Sequence, residues 1–238
     1  MPRRTPAVTL VPRDECLAAN PYLTHAVVGW QRAHASDSEA AEWLAEACDA
    51  VEPDPGLRVA GCLVLCLPGD SLDQVAKDTG PALGRVLAPF GARTLTCLHA
   101  LRSGRWPTRR RQPPVLARAA GEFREIGAGK SFDGGIRLAA EDARTAFEPL
   151  MWSVRMDMGY GPVYIAADGA PFVASLCQYG NLHVEAYTAD AIATLHQAAR
   201  AAGFAEWTDG VCRERFSGGA IPGRGLLVGG TSGGKDQG

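Results

Sequence analysis

The segment from Met151 to Phe216 constrains the fold of this chain more than any other, because its hydrophobic pattern changes period once. Up to residue 187, four short segments alternate apolar and polar side chains, which is typical of strands with one buried face. They are separated by the turn sequences Gly159-Tyr160-Gly161, Asp168-Gly169 and Gly180-Asn181. From Thr188 onwards the period is 3.6, and the apolar stripe consists of Ile192, Leu195, Ala199 and Ala202. We therefore predict an antiparallel meander with one helix packed on its dry face and a short final strand.

The first hundred residues predict a mixture of helices and strands. Ser36 and Glu39 form a capping box that opens a helix reaching about Val51. The apolar run over residues 57–67 predicts a central strand covered on both faces. A helix over about 72–89, interrupted near Gly80-Pro81, and a strand near 92–101 follow. The expected class is α+β, with a mixed α/β N-terminal lobe (1–101) and a C-terminal meander-plus-helix lobe (131–216).

Composition marks two further segments. Residues 102–118 hold six arginines, three prolines and one tryptophan, which is a poor composition for an interior. We predict an Arg/Pro-rich loop or linker over residues 102–130. The Gly-rich residues 217–238 have too little apolar surface to offset the entropy of ordering, so we expect a disordered tail.

Charge and cysteine content exclude some classes of function. With 24 basic and 26 acidic side chains the net charge is −2, so no overall field draws the chain to nucleic acid or to an anionic membrane. Seven irregularly spaced cysteines favour reduced thiols over a disulfide framework. No secretory signal or membrane span is apparent, and we expect a cytoplasmic protein.

Neither a metal nor a cofactor is predicted. Cys62 and Cys66 share the apolar strand, but positions four apart on a strand lie about 13 Å apart, too far to bind one zinc ion. A reactive cysteine needs a positive neighbour or a helix N-terminus. Cys177 and Cys212, both in the C-terminal lobe, are the two thiols we would test.

Three polar side chains project from one face of the last meander strand: His183, Glu185 and Tyr187. If no helix covers that face, Tyr164, His183, Glu185 and Tyr187 form an aromatic and polar surface of the kind enriched at protein interfaces. Our first hypothesis is therefore a non-enzymatic module that binds another protein. An enzyme with a site centred on His183 and Glu185, or on Cys177, is the alternative.

A second alternative is nucleic-acid binding through the arginine segment. Its arginines can track a phosphate backbone and its indole can stack on a base. The candidate residues are Arg105, Trp106, Arg109, Arg110 and Arg111, within the loop from Arg102 to Arg118.

The order of motifs in residues 151–216 resembles the domains similar to type III secretion chaperones that are common in bacteria with high-GC genomes. The resemblance rests on a glycine turn, on a strand with Leu182, Val184 and Glu185, and on a helix closing with Gly203 and Phe204 before a strand at Phe216. It covers about a quarter of the chain and leaves the segment before Arg102 unexplained. It implies a chaperone, adaptor or immunity-like module and transfers no catalytic residues.

Overall fold

The computed structural model describes residues 8–35, 47–102, 114–129, 132–156, 161–206, 212 and 214–216. Within these ranges the helices are α1 (Arg13–Ala19), α2 (Pro21–Ala35), α3 (Leu72–Leu87), α4 (Pro114–Glu125), α5 (Ala143–Met156) and α6 (Ala189–Ala201). The strands are β1 (Val8–Val11), β2 (Gly61–Cys66), β3 (Thr94–His99), β4 (Gly135–Ala139), β5 (Val163–Ala167), β6 (Phe172–Leu176), β7 (Leu182–Ala186) and β8 (Ala205–Glu206). Short 3-10 turns lie at Ala88–Phe90 and Ala140–Asp142.

All of these strands form one antiparallel sheet in the order β1-β4-β3-β5-β6-β7-β2-β8. The predicted α+β class is confirmed, and the meander is the run β5-β6-β7. The sequence left open whether the two lobes form one domain. In the structure β3 lies between β4 and β5, and β2 pairs with β7, so strands from both lobes alternate in a single sheet.

Helices cover both faces of this sheet. On β5, Val163, Ile165 and Ala167 belong to the larger core with α3 and α5, whereas Tyr164 and Ala166 belong to the smaller core with α1 and α2. Strands buried on both faces need apolar residues at nearly every position, as β5 has. None of the described helices is long and apolar enough to span a membrane.

Residues 151–156, predicted as the first meander strand, belong to α5. The alternation of Trp152, Val154 and Met156 holds only over this short window. A longer stripe with helical spacing begins upstream and consists of the buried residues Phe147, Leu150, Met151 and Val154. The longer pattern prevails because it buries more apolar surface against α3 and the sheet.

Two further boundaries differ from the predictions. Helix α3 runs through Gly80-Pro81 without interruption, and Gly80 is needed there because a Cβ would lie 2.8 Å from the backbone of Ala143 and Arg144 on α5. The segment expected as a loop over 102–130 contains α4, whose buried residues are Leu116, Ala119, Ala120 and Phe123. The predicted helix from Ser36 to about Val51 lies outside the described residues up to residue 46, and residues 48–51 are not helical. Residues 103–113 and the tail 217–238 also lie outside the described residues.

The N-cap of α6 is Thr188, whose hydroxyl accepts a hydrogen bond of 3.1 Å from the backbone N–H of Ala191. We expect Thr188→Ala to lower the free energy of unfolding by about 1 kcal/mol and Thr188→Ser to leave it nearly unchanged. Urea unfolding of both variants measures the difference. Equal loss in both variants would show that the hydroxyl does not cap the helix.

Candidate dithiol site

The turn between β6 and β7 places two of the residues singled out in the sequence side by side. Ser175 pairs with His183 across the two strands. Cys177 follows β6 two residues after Ser175, so its side chain lies on the same face, diagonal to His183. The turn is closed by hydrogen bonds of 3.0 Å from the N–H of Cys177 to the carbonyl of Asn181 and from the N–H of Gly180 to the carbonyl of Cys177. Gly180 has φ 78°, a left-handed conformation that favours glycine.

A second cysteine reaches this turn from the C-terminal segment, of which residues 212 and 214–216 are described. Glu214 accepts two hydrogen bonds from Arg155 of α5, at 2.7 and 3.0 Å. The side chains of this ion pair are only 3% and 4% exposed. Arg215 donates to the carbonyl of Leu67 at 3.1 Å and to Asn181 Oδ1 at 3.4 Å. These contacts fix the segment and hold Cys212 over the β6–β7 turn.

The two thiols lie in contact, with 3.3 Å between Cys177 Sγ and Cys212 Sγ. The buried side chain of Asn181 donates from Nδ2 to Cys212 Sγ at 3.0 Å, and the backbone N–H of Tyr179 donates to Cys177 Sγ at 3.4 Å. One ligand-type atom from each of Cys177, His183 and Cys212 lies within 4.8 Å of the others. The arrangement is a compact sulfur and imidazole cluster with N–H donors directed at both sulfurs.

The contacts have opposite effects on the two thiols. The hydrogen bond with Cys212 raises the pKa of Cys177, and burial raises it further. The same hydrogen bond lowers the pKa of Cys212 well below the ordinary thiol value, although burial opposes this. Hydrogen bonds from His183 and Asn181 add to the lowering. The contacts therefore favour the charged form of Cys212 over that of Cys177.

A cavity of about 370 Å³ opens on this cluster. Cys177, His183 and Cys212 line it, and its other walls are formed by Val154, Gly161, Pro162, Ser175, Leu176, Gln178 and Tyr179. The volume lies at the lower end of the range for small-molecule sites, and the lining combines apolar surface with a few polar groups. A small ligand in this cavity would lie against both thiols.

The other face residues predicted from the sequence lie elsewhere. The helix α2 covers the far end of that face, where Tyr187 packs on Tyr22 and makes a perpendicular ring contact with His25. Tyr164 and Tyr187 are therefore 6% and 8% exposed, which corrects the expected open aromatic surface. Glu185 accepts a hydrogen bond from the Tyr187 hydroxyl at 3.2 Å, while His183 contacts Cys212. The structure thus brings His183 and Cys177 together and joins Glu185 to a different group.

The structure describes only part of the arginine segment over residues 102–118. Arg105, Trp106, Arg109, Arg110 and Arg111 lie outside the described residues. Arg118 lies on α4, where its guanidinium approaches the carboxylates of Glu122 at 3.9 Å and Glu148 at 3.4 Å. Nucleic-acid binding stays a prediction.

Sequence reasoning selected Cys177, Cys212 and His183 one by one but did not join them. Cys177 and His183 lie on either side of the predicted hairpin turn at Gly180-Asn181, so the predicted strands already place the two residues close together. Cys212 lies 29 positions beyond His183, and in the described part of the chain the docking of Glu214 and Arg215 brings it to the turn. A comparison with protein-family models, with curated proteins and with solved structures finds no match to this chain.

Proposed function

We propose that the protein is a thiol–disulfide oxidoreductase that acts on a small disulfide through Cys212 and Cys177. The observation that carries this proposal is the 3.3 Å contact of two sulfurs at the wall of a cavity. The sulfurs need to approach by only ~1.2 Å to reach the length of a disulfide bond. No comparable contact between the other cysteines is found in the described part of the chain.

Cys212 is the attacking thiol, because fewer protein atoms surround it and both Asn181 and His183 direct hydrogen-bonding groups at its sulfur. Its thiolate forms a bond to one sulfur of the substrate disulfide, RSSR. The substrate S–S bond breaks, and the leaving thiolate takes a proton from water to become the first RSH.

Cys177 then resolves the mixed disulfide. It gives its proton to solvent and its sulfur attacks Cys212 Sγ, which forms the Cys177–Cys212 disulfide and expels the second thiolate, protonated to RSH. Two electrons pass from the protein dithiol to the substrate. A small external thiol returns the protein to the dithiol form, as the reducing cytoplasm, where we place the protein, would allow.

The test uses the full chain, reduced and freed of metal with a chelator, and 2-hydroxyethyl disulfide as substrate. We expect the wild type to release about two thiols per chain rapidly. Cys177→Ser should release about one and stop as a mixed disulfide on Cys212. Cys212→Ser should lose the rapid phase. Liquid chromatography of the released thiol and intact-protein mass spectrometry measure these outcomes.

The matched control is Cys62→Ser, since Cys62 is the exposed cysteine of β2 and takes no part in the cluster. This variant should keep the rapid release of both thiols. The proposal is wrong if Cys212→Ser reacts as fast as the wild type while circular dichroism shows that both are folded.

Binding of a protein partner is the second candidate, and the formed β5-β6-β7 meander with α6, on which the resemblance to chaperone-like domains rests, favours it. Since Tyr164 and Tyr187 are buried, the available part of that face is the half-buried pair His183 and Glu185. A pull-down with wild type and Glu185→Ala tests this version. If Glu185→Ala recovers a partner as well as the wild type does, the partner binds to a different surface.

A further inference from the structure

We propose that Cys177, His183 and Cys212 form a zinc site in the reduced protein, with a fourth coordination position open to the cavity. The inference uses the side chains of the proposed dithiol function but does not depend on disulfide formation. It also reverses the prediction of no metal, which was based on the spacing of residues within single strands, such as Cys62 and Cys66.

The donor set fits zinc. Two thiolates and one imidazole are ligands that zinc prefers, and two thiolates balance the charge of the ion. Around a tetrahedral zinc with usual bond lengths, neighbouring sulfurs lie ~3.8 Å apart and sulfur and nitrogen somewhat closer. The ligand-type atoms here lie within 4.8 Å of one another, with the sulfurs at 3.3 Å. The two sulfurs would have to separate by about half an ångström, and the imidazole nitrogen would have to approach by no more than about 1.2 Å, to complete the site.

The proposed ligands receive hydrogen bonds from neighbouring groups, as the ligands of metal sites in proteins usually do. The N–H of Tyr179 and Nδ2 of Asn181 each donate to one sulfur, which orients the thiolates. The amide of Asn181 is fixed in turn, since Arg215 approaches its Oδ1 at 3.4 Å. Such partners preorganise ligands in the apo form and reduce the cost of binding.

The cavity beside the three ligands distinguishes a structural zinc site from a catalytic one. Structural zinc sites have four protein ligands, whereas catalytic sites keep three and leave one position for water or substrate. All three ligands line the cavity, so a fourth ligand has room there. Oxidation to the Cys177–Cys212 disulfide would remove two ligands, and zinc and disulfide thus exclude each other.

Cobalt serves as the probe because tetrahedral Co²⁺ with thiolate ligands has intense d–d and sulfur-to-cobalt charge-transfer absorption. The reduced, metal-free full chain is titrated with Co²⁺ under anaerobic conditions, and Zn²⁺ is then added. We expect saturation at about one ion per chain and displacement by Zn²⁺. Cys177→Ser and Cys212→Ser should each lose about half of the charge-transfer intensity, and His183→Gln should weaken binding at least about tenfold.

The control variants are Cys62→Ser and Cys48→Ser, which remove free cysteines outside the cluster and should leave the spectrum unchanged. Absence of charge-transfer absorption in the wild type, or an unchanged spectrum in Cys212→Ser, overturns the zinc site. Because the disulfide assay contains a chelator and no added metal, the two proposals fail separately. If cobalt binds but the disulfide assay shows no thiol exchange, only the metal site is supported. If thiol exchange occurs but cobalt does not bind, the zinc proposal is wrong.

Discussion

A Glu214→Gln variant is expected to lose about 3–5 kcal/mol of the free energy that docks Cys212 and residues 214–216 on the β6–β7 turn. Glutamine keeps the shape of the side chain but removes the negative charge that faces the guanidinium of Arg155, which is 3% exposed. It also replaces one of the two accepting oxygens, at 2.7 and 3.0 Å, with an NH₂ group that cannot accept a hydrogen bond. Since residues 214–216 are half-buried and belong to no strand or helix, the loss should appear first as local release of the segment rather than as global unfolding.

Release of this segment would carry Cys212 away from Cys177 and His183. We expect the variant to lose the rapid thiol exchange while its far-UV circular dichroism stays that of the wild type. Hydrogen exchange of residues 214–216 measures the docking directly. The matched control is Glu148→Gln, which weakens the more exposed pair with Arg118, at 3.4 Å, and should change stability by no more than about 1 kcal/mol. Equal protection of the segment in wild type and Glu214→Gln would contradict the docking role.

The second large effect is expected for Asp49→Asn, which should lower the free energy of unfolding by about 3–5 kcal/mol. Asp49 accepts hydrogen bonds from Arg13 at 2.7 and 2.6 Å and from Gln31 at 2.8 Å. The side chains of Arg13 and Asp49 are 3% and 1% exposed, so the substitution leaves a buried cation with no anion. The same guanidinium donates to the carbonyls of residues 99–101, which joins α1 to the end of β3.

Urea unfolding at neutral pH measures this loss, and Glu52→Gln is the control. Glu52 pairs with Arg32 at 2.5 Å, but their side chains are 85% and 54% exposed, so its removal should cost little. A similar small loss in Asp49→Asn and in the control would show that the buried network does not stabilise the fold.

The sequence was sufficient for the parts of the fold that local patterns determine. Strands β5, β6 and β7 are short segments divided by Asp168-Gly169 and Gly180-Asn181, β7 alternates in burial, and α6 has both a cap at Thr188 and an apolar stripe. Each of these signals lies within about ten residues, so no tertiary contact is needed to interpret it.

The predictions from the sequence were wrong where a tertiary contact decides between two local patterns. Residues 151–156 satisfy a strand pattern over a short window, yet the packing of α5 against α3 through Gly80 requires the helix. The coverage of Tyr164 and Tyr187 depends on α2, which lies more than 120 positions earlier in the chain. No sequence pattern states which face a distant helix covers.

In the candidate site, one part follows from local sequence patterns and another depends on tertiary contacts. Cys177 and His183 are brought together by a hairpin that the sequence predicted, so their proximity followed from local rules. Among the described residues, Glu214 and Arg215 dock the segment that carries Cys212, through contacts that link it to Arg155 of α5 and to the end of β2. Isolated cysteines are common core residues, so the pairing had no signature in the spacing.

The most direct test of the dithiol site is disulfide mapping of the full chain after oxidation with a small disulfide at low protein concentration, without metal. Proteolysis without reduction and mass spectrometry should identify one dominant cross-linked peptide that joins Cys177 to Cys212. Unlinked cysteines at both positions, or disulfides distributed over the other cysteines, would contradict the account.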